Sequence, residues 1–230
     1  MRQPHQAIQG RRGDRGSGEG PAHRAAGGAG PIAAADLDLF IARHGETEWS
    51  RSGRHTGLTD IPLLPEGETR ARSLRRRLAA ERFATVYASP LQRAYRTAQL
   101  AGFANPVVEP LLREWDYGEY EGITTIQVHE KRPGWSLWHD GCPGGESIGQ
   151  VRNRAERFLE LALPGGEGPV IAFSHGHFLR VLALVFLDLP DGAGERLSLE
   201  TASVSVLREG ERGRLLQLWN DIGHLPGQPA

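Results

Sequence analysis

From residue 37 onward, short apolar runs alternate with segments whose apolar residues recur at helical spacing. The short runs are LDLFIA (37–42), TVYAS (85–89) and PVIAFS (169–174). Residues 65–81 and 145–162 instead place apolar side chains three and four positions apart, as on one face of an amphipathic helix. Strands that alternate with helices are typical of a sheet covered by helices on both faces. We therefore predict an α/β fold: a three-layer α/β/α sandwich with a largely parallel central sheet.

The boundaries of several predicted elements carry local signals. Ser89, followed by Pro90 and Gln92, has the pattern of a capping box at the start of a helix. The loop GCPGGES (141–147) is interpreted as a turn in which Ser147 or Glu146 helps to cap the next helix, with a substrate-contacting lid as the alternative. The alternating segment after Thr201 predicts a terminal hairpin, whose strands make the sheet antiparallel at one end.

The first 35 residues have a composition unlike the rest of the chain. They contain eight glycines and eight alanines but no leucine and no aromatic residue. Such a segment cannot bury enough apolar surface to offset the entropy lost on ordering. We predict a disordered tail over residues 1–35, or a start codon placed too far upstream, and a folded domain over residues 36–230.

Bulk composition bears on partners and location. The chain has 230 residues, 39% hydrophobic and 24% charged, with a net charge of −1. This charge favours neither nucleic acid nor an anionic membrane as a partner. The longest apolar run, FLRVLALVFLDL, is interrupted by Arg180 and is shorter than a membrane span. The single cysteine, Cys142, cannot form an internal disulfide, so we expect a reducing, cytoplasmic location. A homodimer is left open.

Charged and imidazole side chains stand just beyond the predicted strand ends. Arg43 and His44 follow the first strand, Arg93 follows the second, Glu114 comes after VVEP (107–110), and His175 follows PVIAFS. In open α/β sheets, sites form beyond the carboxyl ends of the strands. Guanidinium groups bind phosphate there, and an imidazole among them can act as a nucleophile. The set predicts a site for phosphoryl chemistry.

Four motifs carry a family resemblance, and they occur in the order RHGETEW (43–49), SPLQRAYRTA (89–98), LLREWDYGEYEG (111–122) and FSHGHFLR (173–180). Together they resemble the histidine phosphatase superfamily, the phosphoglycerate mutase-like group, over about residues 37 to 210. The resemblance implies that His44 accepts the phosphoryl group and that Glu114 donates a proton. It places Arg43, Arg93 and His175 around the phosphate. It implies no metal and no cofactor, and the bacterial acid phosphatases are the most similar branch.

The same resemblance suggests which residues contact the rest of the substrate. Thr56 and Gly57 match the substrate-contacting loop of the family, while Ser50 and His177 stand where the mutases carry asparagine. We expect these four residues to bind a small phosphorylated metabolite. His55 either contacts the substrate as well or is an exposed loop residue.

The predicted activity is hydrolysis of a phosphomonoester, and three alternatives are weighed against it. A mutase is disfavoured because only 61 positions separate Glu114 from His175, whereas the mutases carry a longer insert there. A metal-dependent hydrolase that uses His44, His175, His177 and Glu114 is disfavoured because the arginines would repel a cation. A non-catalytic phospho-ligand-binding module is disfavoured because all five core residues of the family are present. These residues are Arg43, His44, Arg93, Glu114 and His175.

Two further features are interpreted as structural. Trp135 and Trp138, three positions apart, are expected to pack on a short helix, although a platform for a sugar is the alternative. Cys142 is expected to be structural because no paired histidine motif accompanies it.

Overall fold

The computed structural model describes residues 37–163, 168–211 and 213–227. The predicted tail over residues 1–35 lies outside the described residues and stays a prediction. The strands are β1 (Leu37–Arg43), β2 (Thr85–Ala88), β3 (Val107–Val108), β4 (Val170–Ser174), β5 (Val204–Gly210) and β6 (Gly213–Asp221). The α-helices are α1 (Glu48–Ser52), α2 (Pro65–Arg77), α3 (Gln92–Leu100), α4 (Thr125–Lys131), α5 (Leu137–Asp140), α6 (Ile148–Ala162) and α7 (Gly176–Phe186). Short 3-10 helices span Pro110–Leu112, Gly118–Tyr120 and Asp191–Arg196.

The strands form one mixed sheet in the order β3-β2-β4-β1-β5-β6. The pairs β3-β2, β2-β4 and β4-β1 are parallel, whereas β1-β5 and β5-β6 are antiparallel. The predicted parallel sheet with a terminal hairpin is thus confirmed. Because β1 and β4 are adjacent and parallel, the residues that follow them emerge at the same edge of the sheet.

Each face of the sheet is covered by helices, as the alternation of side chains along β1 shows. Leu39 and Ile41 belong to a core that includes residues of α6 and α7, such as Phe158 and Phe178. Phe40 and Ala42 belong to a second core, which contains Leu74 of α2 and Ala98 of α3. The two cores lie on opposite faces because successive residues of a strand point to opposite sides. The predicted three-layer α/β/α sandwich is therefore confirmed.

The helix starts agree with the local signals in one case and not in the other. Ser147 caps α6 as predicted, and its side chain and that of Gln150 form a reciprocal capping box. The predicted box at Ser89 is wrong, because α3 begins only at Gln92 and its N-cap residue, Leu91, offers no side-chain cap. The Ser89 hydroxyl accepts a hydrogen bond from the N–H of Leu91 at 3.3 Å and lies 2.8 Å from the ring of His175.

A close contact between two glycines fixes the loop after β1 against the start of α2. A Cβ atom on Gly45 would lie 2.5 Å from the carbonyl oxygen of Gly67, and one on Gly67 would lie 2.1 Å from that of Glu46. Neither position has space for a side chain, so the two backbones pack directly on each other. This contact holds the segment that carries Arg43 and His44.

No helix in the described part of the chain is both long and apolar enough to cross a membrane.

Candidate active site

A cavity of about 250 Å³ opens at the carboxyl ends of β1 and β4. Six of the residues predicted from the sequence line it: Arg43, His44, Ser50, Thr56, Glu114 and His177. The edge of the sheet thus brings together side chains that are up to 134 positions apart in the chain, from Arg43 to His177. The cavity is not lined by the other three predicted residues, which are Arg93, His175 and Gly57.

His44 is held in one tautomer by its own neighbour. Its Nδ1 atom lies 2.7 Å from the carbonyl oxygen of Gly45. A carbonyl can only accept a hydrogen bond, so Nδ1 carries the proton and Nε2 keeps its lone pair. Burial lowers the pKa of His44 well below its ordinary value, and the positive charges of Arg93 and Arg43 lower it further. His44 is therefore a neutral imidazole with an unprotonated Nε2.

Arg43 has donors that the protein leaves available. Its Nη1 donates to the carbonyl oxygen of Leu199, whereas its buried Nε has no hydrogen-bond partner among the described residues. Gly176 lies directly beside this guanidinium, since a Cβ there would be 3.3 Å from Nε. The Nη2 of Arg43 also has no hydrogen-bond partner among the described residues but is not fully buried, so Nη2 can donate to an anion in the cavity.

Arg93 and His175 are buried behind the cavity rather than on its wall. The Nε of Arg93 donates to Nδ1 of His175 at 3.2 Å. Since Nδ1 accepts, the proton of His175 is on Nε2, which donates to the hydroxyl of Ser89. Burial, followed by the charge of Arg93, lowers the pKa of His175 well below its ordinary value, in agreement with a neutral ring. The rings of His44 and His175 are 5.2 Å apart between centroids.

Most donors of Arg93 bind the loop that follows α1. Nη1 donates to the carbonyl oxygen of Thr59, and Nη2 donates to those of Thr56 and Gly57, at 2.8–3.1 Å. Four of the five N–H groups of this guanidinium therefore bind protein atoms. Arg93 contributes its charge to the site, and it also fixes the loop that carries Thr56.

Glu114 is held in place by main-chain N–H groups from two segments. Oε1 accepts from Trp115 at 2.9 Å and from Phe178 at 2.8 Å, and Oε2 accepts from His177 at 3.1 Å. Two of these donors belong to the first turn of α7. The start of this helix thus orients the carboxylate beside the cavity that His44 lines.

The predicted substrate-binding residues take different positions. Ser50 lines the cavity, but its hydroxyl is engaged in a capping box with Thr47 at the start of α1. The Nδ1 atom of His177 lies 2.6 Å from the hydroxyl of Tyr117. Gly57 does not line the cavity, because its N–H donates to Glu121 and a Cβ there would lie 2.6 Å from that carboxylate. Gly57 is thus a close-packing position of the loop.

Eight further residues line the cavity, among them His55, Tyr117, Arg54 and Arg180. His55 is only 7% exposed and stacks on Tyr117, with centroids 4.8 Å apart, so it is not an exposed loop residue. Burial raises the pKa of Tyr117 well above its ordinary value, so its phenol stays protonated. The signal for Arg180 was present, because it is the one charged residue in the apolar helix GHFLRVLALVF.

A second cavity, also of about 250 Å³, shares four wall residues with the first: His55, Thr125, His177 and Arg180. Trp135 and Trp138 line it, and each is 5% exposed. Both are core residues on or beside α5, which confirms that they pack. They also shape a space that adjoins the site.

The loop 141–147 braces the segment that carries Glu114. A Cβ on Gly145 would lie 2.2 Å from the carbonyl oxygen of Asp116, so the two backbones are in direct contact. Glu146 accepts two hydrogen bonds from Arg154 and one from the N–H of Asp116. These contacts favour a fixed turn over a lid.

Burial raises the pKa of the Cys142 thiol to about 12, which agrees with a structural role.

The described residues contain no group of three or more His, Cys, Asp or Glu side chains arranged to hold a metal ion. The cavity is instead lined by three arginines, three histidines and one carboxylate: Arg43, Arg54, Arg180, His44, His55, His177 and Glu114.

Comparison with known proteins identifies the family. The family model of the histidine phosphatase superfamily (branch 1) matches residues 39–222. An acid phosphatase of Mycobacterium tuberculosis is 41% identical over 189 residues, which cover 81% of this chain and 93% of that protein. A probable phosphoglycerate mutase of an Enterobacter species is 32% identical over 205 residues, which cover 82% of this chain and 95% of that protein.

A solved structure shows the same fold. The product of an open reading frame of Mycobacterium tuberculosis superimposes with a TM-score of 0.76 at 40% sequence identity, covering 80% of this chain and 97% of that one. These matches confirm the predicted family and support the predicted phosphomonoester hydrolase activity. The chain belongs to the histidine phosphatase superfamily, branch 1.

Proposed function

We propose that this protein hydrolyses phosphomonoesters of small metabolites through a phosphohistidine intermediate on His44. The observation that carries the proposal is the tautomer of His44, whose Nδ1 donates to the carbonyl of Gly45 while the ring lines the cavity. This leaves the lone pair of Nε2 as the nucleophile. The lowered pKa of the ring keeps it unprotonated at neutral pH.

In the first step, Nε2 attacks phosphorus, the N–P bond forms and the ester P–O bond breaks. Glu114 gives its proton to the departing alkoxide oxygen. Glu114 lines the same cavity as His44, which places its carboxyl group beside the leaving group. The Nη2 of Arg43, which has no hydrogen-bond partner among the described residues, donates to a phosphate oxygen, and the charge of Arg93 stabilises the transition state from behind.

In the second step, water attacks the phosphohistidine. The N–P bond breaks, the electron pair returns to Nε2, and Glu114 accepts the proton of the attacking water. The three main-chain N–H groups that bind Glu114 hold its carboxylate ready for this base role. The enzyme is then back in its starting protonation state.

The relatives support hydrolysis, although they also include mutases. The acid phosphatase relative has the higher identity of the two reported, 41% against 32%. A mutase would return the phosphoryl group to an organic acceptor instead of water. We also propose a cytoplasmic location, on the basis of the single cysteine.

The test is rapid quench of the purified protein with a labelled aryl phosphate. We expect a base-stable, acid-labile phosphoprotein that is absent from His44→Ala, which should also lose turnover. His139→Ala serves as the matched control, since His139 is exposed on α5 and lines neither cavity. Label that survives in His44→Ala would refute the proposed nucleophile.

Two further measurements distinguish the alternatives. Inorganic phosphate should form at the rate at which substrate is consumed, without added metal and in the presence of a chelator. Transfer of label to phosphoglycerate in preference to water would favour the mutase. Activity that is lost in chelator and restored by zinc would favour a metal-dependent hydrolase.

A further inference from the structure

Arg180 lies where the two cavities meet. It is on α7, five residues after His175, and it lines both the cavity that contains His44 and the cavity beside Trp138. A partly buried arginine on an otherwise apolar helix requires a physical reason, because its guanidinium stays charged even when burial lowers its pKa.

Among the residues that the structure describes, hydrogen bonds fix this guanidinium through one of its three nitrogens. Nη1 donates to the carbonyl oxygens of Gly194 and Leu197, at 3.3 and 3.1 Å. The Cζ atom lies 4.9 Å from the centroid of the Trp138 ring, which holds the planar group from a second direction. The orientation of the side chain is therefore set before any ligand binds.

The opposite edge of the guanidinium is unused. Within the described residues, Nε and Nη2 of Arg180 have no hydrogen-bond acceptor, and neither atom is among the fully buried polar atoms that lack a partner. These donors are therefore accessible from the cavities. The Nε and Nη2 hydrogens point in parallel, and this edge binds a carboxylate or a phosphate through two hydrogen bonds.

The charge of Arg180 is also unpaired. None of the ion pairs formed by the described residues includes it, and the nearby Glu114 already accepts three main-chain hydrogen bonds. Burial lowers the pKa of Arg180, Tyr117 and Glu114 raise it, and the positive charge of Arg43 lowers it. Arg43 and Arg93 are assigned to the transferred phosphate, so Arg180, like Arg54 on the wall of the same cavity, supplies positive charge beyond that assignment.

We propose that the substrate carries a second anionic group, a carboxylate or a second phosphate, on its leaving-group side, and that Arg180 binds this group through its free edge. The proposal rests on the proposed function. The transferred phosphate lies beside His44 and Arg43, and the leaving group extends toward the shared wall of the two cavities. Arg180 is thus a specificity-determining residue.

The test compares matched substrate pairs that differ only in the second anion. One pair is phosphoglycolate and ethyl phosphate, and the other is 1,3-propanediol bisphosphate and propyl phosphate. For each pair the readout is the ratio of kcat/KM for the substrate with the second anionic group to kcat/KM for the substrate without it. This ratio cancels losses that affect both substrates equally, including partial unfolding.

The variants are Arg180→Lys and Arg180→Gln, with Arg152→Gln as the matched control. Arg152 also donates through Nη1 to a backbone carbonyl, that of Leu189, but it lines neither cavity. In the parent enzyme we expect the ratio to exceed one for at least one pair, and that pair identifies the anion. Both Arg180 variants should lower that ratio by about 10- to 100-fold, whereas Arg152→Gln should not change it.

Lysine keeps the charge but cannot present two parallel donors. A lower kcat/KM ratio in Arg180→Lys would therefore show that the Nε and Nη2 donors bind the anion, and not the charge alone. A parent enzyme with no preference for either anionic substrate would refute the proposal. So would ratios that are the same in the parent and in both Arg180 variants. Either result is distinct from failure of the proposed function, because phosphohistidine formation on His44 would still be observed.

Discussion

At the residue scale, we predict that the contribution of Glu114 to the reaction rate depends on the leaving group. A nitrophenolate needs little protonation, whereas an alkoxide cannot depart without a proton. We expect Glu114→Gln to slow an alkyl phosphate by about 10²–10⁴-fold and an aryl phosphate far less. The measurement is kcat/KM for both substrates.

Glu119→Gln is the matched control, since Glu119 is exposed in the same segment and does not line the cavity. It should leave both substrates unaffected. Equal losses on the two phosphates in Glu114→Gln would mean that the residue only positions other groups.

The positions of some side chains of the site could be predicted from the sequence, and those of others could not. The strand-end positions predicted Arg43, His44 and Glu114 at one site, and the family resemblance added His177; the structure places these four residues on the wall of one cavity, whereas His175 lies behind it. Arg93 was predicted to surround the phosphate, yet its donors bind the carbonyls of Thr56, Gly57 and Thr59. A pattern identifies the residue type and its strand end, but it cannot give the direction in which a long side chain turns.

At the scale of elements, the contact between Gly67 and the loop after β1 makes a prediction about stability. An alanine at Gly67 would place its Cβ 2.1 Å from the carbonyl oxygen of Glu46, so the loop that carries His44 must shift. We expect Gly67→Ala to lower the unfolding free energy by about 1–3 kcal/mol and to reduce kcat. Thermal unfolding and steady-state kinetics measure the two effects.

Gly149→Ala is the matched control, with the opposite expected sign. Gly149 is exposed in the first turn of α6, and the nearest atom to an added Cβ is 4.0 Å away. Alanine there should raise the unfolding free energy by about 0.4–1 kcal/mol, because it restricts the unfolded chain. Equal stability of the two variants would show that the glycine contact is unimportant.

The wrong prediction at Ser89 also belongs to the scale of elements. Local spacing favoured a capping box, but the hydroxyl is close to the imidazole of His175, which is 86 positions away. A long-range contact with a buried ring outweighs a local cap that contributes only about 1 kcal/mol.

At the scale of the whole molecule, buried neutral histidines make stability depend on pH. Burial holds the pKa values of His44, His175 and His177 well below the ordinary 6.5 in the folded state. Below about pH 6.5 the unfolded chain therefore binds protons that the folded chain does not. The unfolding free energy should fall as pH decreases, by up to about 1.4 kcal/mol per pH unit for each histidine.

Urea unfolding at pH 7.5 and pH 5.5 measures this effect. Calorimetry in buffers of different ionisation enthalpy should show proton uptake on unfolding at the lower pH. Carboxyl groups with lowered pKa, such as that of Glu146, act in the same direction but nearer pH 4.5. An unfolding free energy that is unchanged or higher at pH 5.5 would contradict the neutral state of these rings.

The segment 1–35 gives a second prediction at this scale. It lacks leucine and aromatic residues, and the family model begins only at residue 39. We expect its removal to leave the melting temperature and kcat/KM nearly unchanged. A substantial loss of either in the truncated chain would show that this segment contributes to the folded domain.

The sequence by itself determined the sandwich and most of the residues at its edge. Periods of two and 3.6 residues are local properties, and the side chain that follows a strand stays at the end of that strand. The tertiary structure alone decided which donors remain free. Arg180 is fixed by the carbonyls of Gly194 and Leu197, and His55 is stacked on Tyr117, 62 positions away. Such contacts depend on how distant segments pack, so they have no local pattern from which the free edge of a guanidinium could be predicted.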